Sequence, residues 1–205
     1  MGLSQGDEDH LKSSRFRAAL LPGMVLAVSA LLALCGDWGR AWFRYDRPAI
    51  VDGEFWRLLS GHLTHLGWPH FLLNAAGLLL ICYLVARQFD TRQWLFVSIL
   101  IIAGIDAGFW FWQPQLMWYV GLSGLLHGLL AAGTVRGLQN RQNDFWLVAA
   151  FLAGKVVYEQ WAGPLPGSES TAGGEVVVAA HLYGTVSGAL AGVLFWLRKA
   201  PRAPL

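Results

Sequence analysis

Ser123 is the residue of this sequence best suited to chemistry, because glycines surround it where an uncharged stretch enters an apolar segment. His70 and Asn74 lie four residues apart in an earlier apolar segment, and His181 stands near the start of the last one. A serine hydroxyl becomes a nucleophile at neutral pH when a base such as histidine takes its proton. Polar groups inside membrane segments are costly and often functional. These four side chains together predict a buried centre for nucleophilic catalysis.

Acyl transfer also needs hydrogen-bond donors for the oxygen that becomes negative during attack. The spacing of four puts His70 and Asn74 on one helix face, where an imidazole N–H and an amide could act together. The backbone N–H of Ser123, at the start of its helix, would be a third donor supported by the helix dipole. Each residue alone is more simply explained by packing, since single polar groups in membranes usually bond to backbone or to a neighbouring helix. Their combination favours a site.

The composition predicts an all-α membrane protein. Of the 205 residues, 55% are hydrophobic and only 14% are charged, against about 25% charged in an ordinary soluble domain. Windows of the length that a bilayer requires lie at 18–36, 67–86, 93–112, 122–139, 144–161 and 176–197. We therefore expect an N-terminal tail over 1–17, one six-helix transmembrane bundle over 18–197 and a basic C-terminal tail over 198–205.

The basic residues predict how this bundle is oriented. Ten of them fall on the side of the two termini: Lys12, Arg15, Arg17, Arg87, Arg92, Arg136, Arg141, Arg198, Lys199 and Arg202. The other side has four arginines, all in the first loop and accompanied by four acidic residues. The positive-inside rule then puts both termini in the cytoplasm and the four site residues near the outer face.

Two loops are expected on that outer face. The loop at 37–66 is long and rich in tryptophan, so we expect it to lie against or within the outer leaflet. The loop at 162–175 is rich in glycine and proline and leads to His181, which favours a mobile flap beside the site.

Small residues recur every four positions below both Ser123 and His181. They are Gly124, Gly128 and Ala132 in the fourth window, and Gly184, Gly188 and Gly192 in the sixth. Such spacing lets helix backbones approach closely. Docking these two helices would bring the serine and the histidine within hydrogen-bond reach, although the same pattern also serves plain helix association.

Three motifs resemble the signature elements of the rhomboid intramembrane serine proteases. They are Gly121-Leu122-Ser123-Gly124, His70-x-x-x-Asn74 and Ala180-His181-x-x-Gly184, in the order and on the segments of that family. In the first loop, Glu54-Phe55-Trp56-Arg57 is similar to the family's Trp-Arg element, and His65 matches a histidine frequent in bacterial members. The resemblance covers residues 18–197. It implies a Ser–His dyad without a third acid, in which Ser123 is the nucleophile, His181 the base, and His70 and Asn74 the oxyanion stabilisers.

The continuation of the serine motif, Gly124-Leu125-Leu126-His127-Gly128, resembles the rhombosortase branch of that family. This resemblance implies exported substrates that carry a Gly-Gly motif, a transmembrane helix and a basic tail at the C-terminus. It also implies a bacterial inner-membrane location and a site that opens toward the periplasm. The expected partners are transmembrane protein substrates and the lipid bilayer, with no nucleic acid and no cofactor.

Several further residues are candidates for supporting roles around the site. His127 follows Ser123 by one helical turn and is a rival for the role of base. Asp106 lies inside the third window, where pairing with a histidine or with Lys155 would relieve its cost and where it could orient a histidine. Lys155 and Glu159, four residues apart, are expected to neutralise each other. Gly121 is a further candidate, and no metal site is expected.

Two other classes of function are compatible with parts of the pattern. A catalytically inactive rhomboid-like protein that binds membrane clients would typically lack the serine or the histidine, and both are present. A small proton-coupled transporter could use the intramembrane histidines and Asp106 as a proton path. Against the transporter, the sequence lacks an inverted repeat or paired broken helices, and the serine motif would have no purpose.

Overall fold

The fold is known from a computed structural model that describes residues 5–197, with side chains from residue 20 onward. Its helices are α1 (Gln5–Leu34), α2 (Gly36–Phe43), α3 (Arg47–Val51), α4 (Arg57–Leu63), α5 (Trp68–Val85), α6 (Thr91–Trp112), α7 (Ser123–Gln139), α8 (Phe145–Ala162), α9 (Ser168–Ala172) and α10 (Val178–Leu197). A 3-10 turn at Ala86–Gln88 follows α5, and two short strands, β1 (Tyr45–Asp46) and β2 (Trp118–Tyr119), pair with each other.

Helices occupy all six predicted windows, and α5, α6, α7, α8 and α10 begin and end within two residues of the prediction. Three of the described helices, α5 with its 3-10 turn, α6 and α10, are long and apolar enough to cross a membrane. A fourth span arises if Leu20–Leu34 and α2, which meet at a bend of 118°, count as one. The all-α membrane fold is thereby confirmed, and six spans are compatible with it. Residues 1–4 and 198–205, which include much of the predicted tails, lie outside the described residues.

Helix α7 lies at the centre of the bundle. Ten of its 17 residues are buried, and α5, α6, α8 and α10 all pack against it. A central helix needs small residues on several faces, because four neighbours must approach its axis at once. The many glycines and alanines of α7 meet that need and fix the position of Ser123, its first residue.

The closest of these packings joins α7 to α10, as the small-residue pattern predicts. A Cβ atom on Gly184 or Gly188 would collide with the backbone carbonyl of Gly124 or Gly128, respectively. One step further along, a Cβ on Gly192 would lie 3.0 Å from the carbonyl oxygen of Ala132. The two backbones therefore touch along three successive turns. These glycines are needed because a larger side chain would not fit between the helices, and not because their backbone has a positive φ.

Gly188→Ala is expected to lower the free energy of unfolding by about 1–3 kcal/mol, because the added methyl group must push α10 away from α7. Gly154→Ala, on α8, is the matched control, since a Cβ there meets nothing within 4 Å. Unfolding of the purified protein in mixed detergent micelles measures both. Equal stability of the two variants would show that the α7–α10 contact tolerates separation.

The first loop is an ordered structure built around two arginines. Arg57 is buried and donates to Glu54 at 2.6 Å and to the carbonyl oxygens of Ala41 and Arg44 at 2.9 and 3.0 Å. Arg47 donates to the carbonyl oxygens of Phe109 at 2.6 Å, Gln113 at 2.9 Å and Leu116 at 3.1 Å, which ties the loop to the end of α6. The loop at 162–175 contains α9, which packs against α5. Its predicted mobility remains a prediction.

The connections at the far end of α7 also lie together. Gln88, after α5, donates from Nε2 to Gln142 at 2.7 Å and accepts from Asn140 at 3.1 Å. With 17 residues in α7, this end is about 25 Å from Ser123. The arginines predicted for the cytoplasmic side at 87, 92, 136 and 141 belong to this end of the bundle.

Candidate active site

A short turn with several long-range hydrogen bonds positions Ser123. Gly121 has a φ of 136°, a conformation that glycine adopts far more readily than other residues. Its N–H donates to the carbonyl of Gly61 on α4 at 3.1 Å. Its own carbonyl accepts from the Tyr119 hydroxyl at 2.5 Å. Burial raises the pKa of Tyr119 above its ordinary value, so the phenol remains a donor. The turn is therefore held on both sides before α7 begins.

The side chains of Ser123 and His181 meet where α7 and α10 are in contact. The distance from Ser123 Oγ to His181 Nε2 is 2.9 Å, within the usual range for a hydrogen bond. Ser123 is half-buried, whereas His181 is only 4% exposed. Because Nε2 must be unprotonated to accept the serine proton, the tautomer of the ring decides what this contact can do.

Glu159 on α8 determines that tautomer. His181 Nδ1 lies 2.8 Å from Glu159 Oε2, and both side chains are buried. A carboxylate only accepts hydrogen bonds, so Nδ1–H is the donor and Nε2 is left with its lone pair toward Ser123. The other carboxylate oxygen accepts from Lys155 Nζ at 2.5 Å. The predicted Lys155–Glu159 pair is present, and its carboxylate has a second partner, His181, which the sequence does not predict.

His127 lies beside the pair without contacting the serine hydroxyl. Its Nδ1 is 2.7 Å from the backbone oxygen of Ser123. A carbonyl oxygen can only accept, so this nitrogen carries a proton and donates it there. The ring also stacks on that of His181, with centroids 4.1 Å apart and planes 12° from parallel. The geometry gives His181, and not His127, an acceptor nitrogen at Ser123 Oγ.

His70 packs against the serine turn. A Cβ on Gly121 would lie 3.2 Å from His70 Nε2, so the glycine makes room for the ring. His70 Nδ1 accepts from the N–H of Leu66 at 3.3 Å, which leaves Nε2 as the protonated nitrogen of a neutral ring. Asn74, one turn further on, is buried and donates to the carbonyl of His70 at 3.1 Å. Their roles toward an oxyanion remain predictions.

Asp106 contacts a different histidine from the one beside the serine. Its Oδ1 is 3.2 Å from Nε2 of His62, a fully buried residue of α4. The ring of His62 packs edge-on against Tyr119, with centroids 5.4 Å apart. Asp106 therefore pairs with His62 and not with His181 or Lys155. Through His62 and Tyr119 it supports the turn that carries Gly121.

One group of described residues has the composition of a metal site. Ligand atoms of His127, Glu159 and His181 all lie within 4.8 Å of one another. The sequence predicts no metal site, and the structure places the carboxylate of Glu159 beside two histidines. Each of these side chains already has a hydrogen-bond partner, however, and stacked rings do not direct two lone pairs at one point. The group is thus better suited to proton transfer than to a cation.

A cavity of about 470 Å³ lies among the segments that precede α7 and α10. Segments 113–120 and 175–179 line much of it, and they lead directly into Ser123 and His181. Strand β2 forms part of the wall and pairs with β1, with Tyr45 opposite Tyr119. The cavity has the volume of a few residues of an extended peptide.

The fold and this cluster define a class: helical membrane proteins with a serine hydroxyl hydrogen-bonded to a histidine inside the bundle. Comparison with known proteins narrows the class. The family defined by the Rhomboid domain matches residues 52–198. The chain belongs to the rhomboid family.

Individual proteins are also similar to this chain, and the name of one of them refers to the same family. The uncharacterized proteins Rv1337 of Mycobacterium tuberculosis and Mb1372 of Mycobacterium bovis are each 31% identical over 158 residues, which is 72% of this chain and 62% of theirs. A Bacillus subtilis protein named "Putative rhomboid protease YdcA" is 30% identical over 84 residues, 39% of this chain and 40% of its own. The chain thus matches less than two thirds of the mycobacterial relatives.

Proposed function

We propose that this protein is an intramembrane serine endopeptidase with Ser123 as nucleophile and His181 as general base. The observation that carries the proposal is the 2.9 Å contact between Ser123 Oγ and His181 Nε2. Membership of the rhomboid family supports the reaction class. The position of Nε2 next to the hydroxyl, and the Glu159 contact that favours an unprotonated Nε2, support acyl transfer by this pair.

The reaction begins when Ser123 Oγ attacks the carbonyl carbon of the scissile bond and gives its proton to His181 Nε2. The carbonyl oxygen becomes negative, and the Nε2–H of His70, the amide of Asn74 and the N–H of Ser123 are the candidate donors that stabilise it. As the C–N bond breaks, His181 returns the proton to the leaving amine. Water then attacks the acyl-enzyme with His181 again as base, and Ser123 is regenerated.

The substrate is a membrane-anchored protein whose chain unwinds near the scissile bond and enters the 470 Å³ cavity. The site opens toward the periplasm of a bacterial inner membrane, and both termini are cytoplasmic. The arginines near the far end of α7 support this orientation, because they lie on the side opposite Ser123.

The substrate class is further proposed to be that of the rhombosortase branch, with a Gly-Gly motif, a transmembrane helix and a basic tail. The His127-Gly128 extension of the serine motif supports this assignment. In that case the acyl group can pass either to water or to an amine acceptor.

Purified protein in proteoliposomes should cleave a membrane-anchored fusion that carries this Gly-Gly signal. Ser123→Ala removes the nucleophile and should abolish cleavage, measured as the appearance of the released fragment. A second fusion with Leu-Leu in place of Gly-Gly distinguishes the proposed protease mechanism from the proposed rhombosortase substrate class. Cleavage of both fusions would contradict the rhombosortase assignment alone, whereas cleavage by Ser123→Ala, or of neither fusion by the unaltered protein, would contradict the protease mechanism.

A further inference from the structure

Glu159 is a buried carboxylate in the last turn of α8, within an apolar sequence window, with 2% of its side chain exposed. Such a group is expensive in a membrane, so its presence needs a reason. Neutralising Lys155 would be one reason. A buried Lys–Glu pair with no other partner, however, can often be replaced by two apolar residues without loss of stability. The direction of the side chain suggests a different purpose, because Oε2 is aimed at the neighbouring helix α10.

The contact between Glu159 and His181 fixes two properties of the histidine. The 2.8 Å bond from Nδ1–H selects the tautomer in which Nε2 is an acceptor. The same bond holds one edge of the ring while His127 stacks on its face at 4.1 Å. These two contacts restrain rotation of the His181 ring and keep its Nε2 at 2.9 Å from Ser123 Oγ.

Lys155 lowers the free-energy cost of burying the Glu159 carboxylate in an apolar helix. Its ammonium bonds the carboxylate oxygen that His181 leaves unused, at 2.5 Å, so that the resting group of Lys155, Glu159 and His181 is neutral overall. When His181 accepts the serine proton, the carboxylate lies directly beside the new imidazolium. The positive charge then forms next to a preorganised partner.

We propose that Glu159 is a positioning residue of the active site, so that this chain operates a Ser123–His181–Glu159 triad in place of the dyad that its family resemblance implies. The proposal rests on the proposed function, since it gives Glu159 a role in activating Ser123 through His181. Lys155 is then a partner of the carboxylate and has no direct part in orienting the histidine.

The test compares three substitutions in the purified full chain. Glu159→Gln keeps the size of the side chain and removes the charge, Lys155→Gln removes the other half of the ion pair, and the double variant removes both. Asp144→Asn is the matched control, because it makes the same chemical change at an exposed position directly before α8. Reactivity is read as the rate at which a fluorophosphonate labels Ser123, when the Oγ–P bond forms, the P–F bond breaks, and His181 takes the serine proton.

Glu159→Gln is expected to slow labelling by about 10- to 10²-fold, less than the roughly 10⁴-fold seen where an amide imposes the wrong tautomer in a triad protease. The double variant should be labelled as slowly as Glu159→Gln, although neither position 155 nor position 159 then carries a charge. Asp144→Asn should label at close to the unaltered rate, and Lys155→Gln, which leaves the Glu159–His181 bond in place, should label faster than Glu159→Gln. A purely structural ion pair predicts another pattern, in which Lys155→Gln is as harmful as Glu159→Gln and the double variant recovers.

A spectroscopic readout separates positioning from stability. A histidine N–H bonded to a carboxylate gives a proton resonance far downfield, which His181→Gln identifies by its loss. The resonance should persist in Lys155→Gln and disappear in Glu159→Gln. Labelling of Glu159→Gln at the unaltered rate, or recovery in the double variant, would overturn the triad and leave the proposed nucleophile intact. Absence of Ser123 labelling in the unaltered protein would overturn the proposed function itself.

Discussion

His181→Ala is expected to lower kcat for peptide cleavage by about 10⁶-fold, the loss found when the base of a serine protease is removed. The reason is geometric, since Nε2 of His181 is the acceptor 2.9 Å from Ser123 Oγ. His127→Ala is expected to cost no more than about tenfold, because the Nδ1 proton of His127 is committed to the backbone oxygen of Ser123. Cleavage of the Gly-Gly fusion, with fluorophosphonate labelling as a second readout, measures both variants.

His127→Phe refines this comparison. Phenylalanine keeps a flat ring that can stack on His181, and it has no nitrogen to accept a proton. Activity close to that of the unaltered protein would show that His127 contributes its ring face, which lies 4.1 Å from His181. Loss of activity in both His127 variants, together with activity in His181→Ala, would reverse the assignment of the base.

The helices and the meeting of Ser123 with His181 could be predicted because both depend on local signals. Apolar runs of bilayer length define α5, α6 and α10 directly. The four-residue spacing of glycines predicts that α7 and α10 touch. The structure agrees, because a Cβ at Gly184 or Gly188 would collide with the backbone of α7. Once two helices are known to touch at given residues, the groups at their adjacent ends must lie close together.

The role of Glu159 could not be predicted in the same way. Helix α8 has large apolar side chains at both its exposed and its buried positions, so hydrophobic periodicity does not indicate which face is turned inward. Lys155, four residues away, already accounts for the charge, and nothing in the sequence requires a second partner. The informative signal in the sequence is a carboxylate within an apolar window, because a single lysine leaves one of its two oxygens without a partner.

The order of the first loop also depends on contacts that no local pattern reveals. Arg47 bonds to carbonyl oxygens of Phe109 and Gln113, more than 60 positions away. His62 meets Asp106 across 44 positions. The carbonyls of Phe109 and Gln113 already accept from backbone N–H groups, and each oxygen has a second lone pair that Arg47 uses. The mostly buried carboxylate of Asp106 needs a partner. The sequence shows the need of each group but not which distant residue meets it.

Asn74→Ala is expected to lower kcat by about 10²- to 10³-fold with little change in KM, because an oxyanion donor acts mainly in the transition state. His70→Ala should lose as much, since its Nε2 carries the proton while Nδ1 accepts from Leu66. Ser98→Ala is the matched control, because Ser98 also donates to the carbonyl four residues before it, at 2.8 Å, but on α6. Initial rates of cleavage over a range of substrate concentrations separate kcat from KM.

Asn74→Asp sharpens this prediction, because it replaces a donor by a group that only accepts while it keeps nearly the same shape. A carboxylate at that position would repel the developing oxyanion, so the loss should exceed that of Asn74→Ala. The existing bond from Asn74 to the carbonyl of His70, at 3.1 Å, uses only one of its two N–H groups. The other is free to meet a substrate oxygen. If Asn74→Ala changed kcat no more than Ser98→Ala does, Asn74 would serve only the helix, and the oxyanion would depend on His70 and the backbone of Ser123.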